Sequence, residues 1–133
     1  MWTVIASLLV LSPGVGQPPR QGWVIDISGQ TVIGQVQPDL SRQDRFVWRV
    51  LSTAGSVLSE RPEPKTQAGF EFTYGECTES GHLRPDVIAE IKTSPAAPGA
   101  LEIHRVWALD PATWVFKPAR ITKLVCYNAD YGF

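Results

Sequence analysis

Few residues in this chain are equipped for acid–base or nucleophilic chemistry at neutral pH. The two histidines, His82 and His104, both have carboxylates nearby in sequence. Glu76, Glu79 and Asp86 surround the first; Glu102 precedes the second, with Arg105 directly after it. An imidazole oriented by a carboxylate can serve as a general base, so a small secreted hydrolase using His82 or His104 is one reading. No nucleophile elbow of the Gly-x-Ser-x-Gly type, no Gly-rich phosphate loop and no His-Glu-x-x-His pattern accompanies them. The patterning instead puts His82 in a solvated loop and His104 outward on a strand. No catalytic residue is named, and the balance leans away from an enzyme.

The second chemical pair is Cys77 and Cys126. An even count, with neither a Cys-x-x-Cys nor a His-x-x-x-His pattern to complete a ligand set, argues for a disulfide over a metal site or a reactive thiol. No metal and no cofactor are expected. Both cysteines fall at the ends of strongly β-patterned runs, so the bridge should tie the end of the Phe70 to Tyr74 strand to the C-terminal strand. It would close a loop of ~50 residues, which the chain-entropy model values at roughly 4 kcal/mol.

Recognition chemistry is offered by aromatic and guanidinium groups. Trp23, Trp48, Trp107 and Trp114, with Phe46, Phe70, Phe72, Tyr74 and Phe116, are enough to fill a sandwich core, which is their first expected use. The functional alternative is an exposed platform of Trp114, Phe116 and Trp107. Trp114 leads it because it follows the hairpin tip Asp110 to Thr113, whereas Trp48, between Val47 and Val50, is expected to be buried. Arg45, Arg49, Arg105 and Arg120 lie in or beside strands. They could grip an anionic ligand, but cross-strand pairing with Glu60, Glu71 or Glu102 is the expected use.

These side chains must be positioned by short strands. Trp23 to Ile27 and Thr31 to Val36 flank a tight loop at Ser28 to Gln30, and Phe46 to Leu51 and Val57 to Leu58 flank Thr53 to Ser56. Phe70 to Tyr74 alternates aromatic and polar residues at period two; Gly75 after it marks a bulge or a strand end. Asp86 to Lys92 reads as a strand in preference to a two-turn helix. Leu101 to Leu109, a turn at Asp110 to Thr113, Trp114 to Phe116 and Ile121 to Tyr127 complete the series. Seven to nine strands at this spacing predict an all-β antiparallel sandwich of immunoglobulin-like architecture, or an open barrel. The order of Cys and Trp expected of a true immunoglobulin domain is absent.

The 133 residues carry 12 Lys plus Arg against 13 Asp plus Glu, and the chain is 44% hydrophobic. That composition suits one globular domain, and the absence of a basic run argues against nucleic acid as a partner. Met1 to Gly16 is expected to be a signal peptide: the apolar run Val4 to Leu11 is followed by small Gly14 and Gly16 at the positions a signal peptidase reads. That run is too short to span a bilayer, which needs ~20 residues. Gln17 to Gly22 reads as an extended lead-in, and 23–133 as a single β-rich domain. The expected location is extracytoplasmic, periplasmic or secreted. The sequence thus points to an exported non-enzymatic binding or structural module for a protein, glycan or envelope component. The alternatives are the hydrolase above and a protease inhibitor presenting Arg61 to Gly69 or Ser94 to Gly99.

Overall fold

Strand after strand forms where β-branched and aromatic residues alternate, and each ends at Gly, Pro or a polar cluster. A computed structural model describes residues 21–42, 44–93 and 101–126. The segments expected to be a signal peptide and most of the lead-in, the Ser94 to Gly99 loop and Tyr127 lie outside them. The strands are β1 (Gln21–Ile27), β2 (Gln30–Pro38), β3 (Phe46–Ser52), β4 (Val57–Pro62), β5 (Phe70–Tyr74), β6 (Thr78–Glu79), β7 (His82–Leu83), β8 (Val87–Lys92), β9 (Ile103–Asp110), β10 (Val115–Pro118) and β11 (Leu124–Val125). All pairings are antiparallel, in sheets ordered β1-β2-β3-β4, β10-β9-β8-β5 and β11-β6-β7. The all-β architecture is that of a sandwich or open barrel. Among the described residues no helix is long and apolar enough to cross a membrane.

The two four-stranded sheets face each other. Ile25, Val32, Val36, Trp48 and Val50 of the first meet Tyr74, Ile88, Trp107, Leu109 and Phe116 of the second. Period-two alternation sends these side chains inward and their neighbours outward. β8 departs from alternation, since Val87 to Ile91 are all buried. Its Ile88 enters the main core, while Ala89 and Ile91 join Cys77, Leu101 and Cys126 in a second core beneath the small sheet. Such burial on both faces is why Val87 to Ile91 reads as a nearly continuous apolar run.

Cys77 and Cys126 are bridged, with Cα atoms 4.3 Å apart, inside the ~7 Å a disulfide can span. Cys77 lies three residues beyond β5, so Gly75, at φ 70°, ends that strand. The chain then turns toward the C-terminal segment. That segment is shorter than its sequence suggests: only Leu124–Val125 pairs, after a turn in which Lys123 has φ 61°. The excess over seven to nine strands comes from β6, β7 and β11, each two residues long and below what hydrophobic periodicity resolves.

Gly75 also meets the seam between β1 and β5. A Cβ there would fall 2.6 Å from Trp23 Cδ1 and 2.7 Å from its Nε1, and that indole nitrogen donates to Pro85 O at 2.8 Å. Gly75→Ala therefore combines backbone strain with a displaced indole and is expected to lower stability by about 2 kcal/mol. Denaturant melts beside Gly29→Ala, where a positive φ is not accompanied by contacts within 4 Å, separate the two effects.

Candidate functional site

The opposite seam, between β4 and β10, is joined through side chains. Ser59 Oγ donates to Trp114 O, and Arg61 Nη1 donates to Phe116 O at 3.0 Å. Pro62 ends β4 and Pro64 keeps the following segment extended. Residues 61–66 thus form a ridge, with a depression of about 660 Å³ on one side and about 580 Å³ on the other. Arg42, Arg45, Phe46, Glu63 and Lys65 line the first. His104, Arg105, Trp107, Pro118, Arg120 and Ile121 are among those lining the second, and Arg61 and Pro64 belong to both.

Behind His104 and Arg105, two residues lining the second depression, lies Glu90, fully buried. Arg105 Nε donates to its Oε1 at 2.6 Å and Nη2 to its Oε2 at 3.1 Å, and His104 Nδ1 lies 2.8 Å from Oε1. Consecutive strand residues normally point to opposite faces. Here the register slips between Ile103, opposite Ile91, and Arg105, opposite Glu90, so His104 is the extra residue of a β-bulge and shares the carboxylate with its neighbour. Burial alone would raise the pKa of Glu90. The Arg105 and His104 hydrogen bonds and charges outweigh it and hold the carboxyl below its ordinary value. Arg105 also donates to Lys65 O at 2.8 Å and covers the Trp107 ring, 5.0 Å from its centroid. His104 packs on Phe70 at 5.0 Å.

A carboxyl whose pKa is depressed by folding contributes stability above its unfolded value, ~4.3, and that contribution is lost as pH falls through the folded value. Thermal melts are expected to show wild type losing more stability than Glu90→Gln between pH 5 and pH 3. Parallel pH curves for the two proteins would contradict that role for Glu90.

On the other side of the ridge, Glu63 Oε2 accepts from Tyr74 Oη at 2.6 Å and from Trp48 Nε1 at 2.9 Å. Arg61 lies over the Trp48 ring at 5.2 Å. Burial lowers its pKa, yet among the described residues it makes no ion pair, its bonds going to the carbonyls of Pro62 and Phe116.

The residues read as candidates from sequence are distributed as follows. His82 is exposed on β7, away from either depression. Its neighbours Glu79 and Asp86 are taken by Arg84. His104 lines the second depression with a bulge-built carboxylate partner, but among the described residues neither a hydroxyl nor a thiol hydrogen-bonds to it. Trp107 and Phe116 are 4% and 1% exposed and belong to the core. Trp114 does not begin the return strand: it closes the turn with φ 61° and is half-buried against the core. Its amide donates to Asp110 O at 2.7 Å, a turn bond that holds it short of the tip. Arg49 pairs with Glu60 across β3 and β4 at 2.6 Å, as cross-strand reasoning expects. Arg105 pairs with Glu90, not with the neighbouring acids. Glu90 and Glu63 were missed; Glu90 left a trace as an acidic residue within the apolar run of β8.

Among the described residues no group of three or more His, Cys, Asp and Glu is arranged to hold a metal ion. Searches against family models, curated proteins and solved structures gave no match.

Proposed function

We propose that this chain is an exported, non-enzymatic binding or structural module for a protein, glycan or envelope component, and that the ligand seats in the depression beside Arg61. The observation that carries this reading is Arg61, a half-buried guanidinium on a ridge between two depressions, with no carboxylate paired to it. Burying a cation is costly unless an anion or hydrogen-bond acceptors compensate, and a ligand group would supply what the two carbonyls leave unmet. The disulfide is compatible with an oxidising, extracytoplasmic compartment, and the apolar run Val4 to Leu11 supports export.

A second reading, a small secreted hydrolase, is favoured by the His104–Glu90 contact, since a carboxylate on Nδ1 orients an imidazole for base chemistry. Arg105 shares that carboxylate, and among the described residues no nucleophile meets the ring, so the pair is better accounted for as a packed polar cluster. The protease-inhibitor reading asks for an exposed rigid loop. Residues 65–69 are exposed and anchored through Glu63 N to Phe46 O at 2.8 Å and Arg105 to Lys65 O. Ser94 to Gly99 lies outside the described residues, and a panel of proteases titrated with the protein tests this reading.

The test incubates the mature protein with ester, glycoside and peptide substrates, alongside pull-down from glycan and envelope fractions, for wild type and His104→Gln. A retained ligand without turnover, in wild type and in His104→Gln alike, is expected, whatever the change in affinity. Turnover that His104→Gln abolishes would replace this reading with the hydrolase.

A further inference from the structure

The cations of this chain sort into two groups. Arg49, Arg84, Arg105 and Lys117 are held in ion pairs with carboxylates. Among the described residues Arg42, Arg45, Arg61, Lys65, Lys92, Arg120 and Lys123 make none, and all of these but Lys92 and Lys123 line the two depressions, where Arg105 joins them. Six of the chain's 12 Lys and Arg therefore gather around one ridge, in a protein whose formal net charge is −1. Only Asp44 and Glu63 supply carboxylates to the lining. Glu90, beneath it, engages Nε and Nη2 of Arg105, leaving its Nη1 available. Sequence order hides this cluster because its members come from residues 42–45, 61–65, 105 and 120. Pro64, Val106, Pro118 and Ile121 add apolar surface to the second depression.

We infer that the paired depressions bind an acidic polysaccharide, its oxyanions meeting Arg42, Arg45, Arg61, Lys65 and Arg120 while sugar C–H faces lie on Pro64, Pro118 and Ile121. This rests on the reading of the chain as a binding module seated at Arg61. Convergent cations in a concave surface focus a field that attracts anions, and guanidinium groups match carboxylate and sulfate oxygens through parallel hydrogen bonds. Single-stranded nucleic acid is disfavoured because base stacking needs open aromatic faces. Among the described residues the large exposed hydrophobic ones are Val24, Leu40, Val57, Leu58 and Leu83, none of them aromatic. The phenyl and indole rings lining the depressions are Phe46, half-buried, and Trp107, buried under Arg105. An acidic peptide is disfavoured because the edges of β4 and β10 already meet through Ser59 and Arg61, leaving little free backbone there for an added strand.

The test measures binding of sodium polygalacturonate, dextran sulfate, neutral dextran and poly-L-glutamate by titration calorimetry. It compares wild type, a quadruple variant (Arg42→Gln, Arg45→Gln, Lys65→Gln, Arg120→Gln) and a control (Lys92→Gln, Lys123→Gln). The four substituted side chains make no ion pairs, and a thermal melt confirms folding; if the quadruple variant unfolds, the single variant Arg120→Glu takes its place. The expected result is binding of polygalacturonate, dextran sulfate or both, with preference between them identifying carboxylate or sulfate as the oxyanion. Binding should weaken at least tenfold in the quadruple variant, stay unchanged in the control and fall with added salt. No binding of either polyanion, tighter binding of poly-L-glutamate, or affinity that survives the quadruple substitution overturns the inference. Retention of another ligand at the Arg61 depression in that case leaves the binding module standing. New reducing ends released from polygalacturonate would leave polyanion recognition in place and overturn the non-enzymatic reading.

Discussion

Replacing Cys77 and Cys126 together by alanine is expected to lower the stability of the domain by about 4 kcal/mol, the loop-closure entropy that the cross-link removes from the unfolded chain. The bridge joins positions separated by 49 residues and ties the segment after β5 to the segment after β11, which otherwise hold together through a two-residue pairing. Both cysteines are fully buried beside Ala89, Ile91 and Leu101. Their loss thus also leaves the second core under-filled. Net stabilities of small domains run to ~5–15 kcal/mol, so the variant should unfold at markedly lower denaturant, and wild type under reductant should behave alike. Identical melts with and without reductant, or two titratable thiols in the native protein, would contradict this account of the second core.

Trp48→Ala is expected to cost a comparable amount, about 4 kcal/mol. The indole is the central packing element of the main core: it meets Phe72 at 5.3 Å, Trp107 at 5.2 Å and Phe116 at 5.9 Å, each nearly perpendicular. Its Nε1 donates to Glu63, and Arg61 lies over its ring, so truncation opens a cavity and releases two groups at the ridge. Trp48→Phe keeps most of the volume and loses the hydrogen bond, for an expected cost of about 1–2 kcal/mol. Chemical denaturation of the three proteins checks the order. Equal losses in the alanine and phenylalanine variants would mean that the hydrogen bond, not packing, dominates.

Much of the fold was legible because it rests on local rules. Ser28 and Gly29, at φ 53° and 76°, occupy the tight loop that their types announce, and Phe70 to Tyr74 keeps the bounds that its alternation gives. The cysteines paired because few alternatives were open to them. The ends of elements were less legible. Trp114 looked like the start of a strand until the turn bond to Asp110 drew it into a left-handed conformation, and Ile121 to Tyr127 looked like a full strand although, among its described residues, only Leu124 and Val125 are paired in a sheet. The candidate site was least legible, since it depends on register. Glu90 is opposite Arg105 only because of the slip at His104, and no local pattern announces a one-residue bulge between distant strands. Likewise Arg61 shares one depression with Arg42 and the other with Arg120 only once β4 and β10 are folded against each other.

Ligand is proposed to bind at the ridge of residues 61–66 and not elsewhere on the domain. Titrating polygalacturonate into the isotopically labelled protein and following amide and Arg Nε resonances tests it residue by residue. The account predicts that the largest shifts fall on Arg61, Lys65, Arg105 and Arg120, with His82, Val24 and Leu83 unmoved. Shifts concentrated around His82 or on the outer face of β1, with the Arg61 and Arg120 resonances unchanged at saturation, would contradict it.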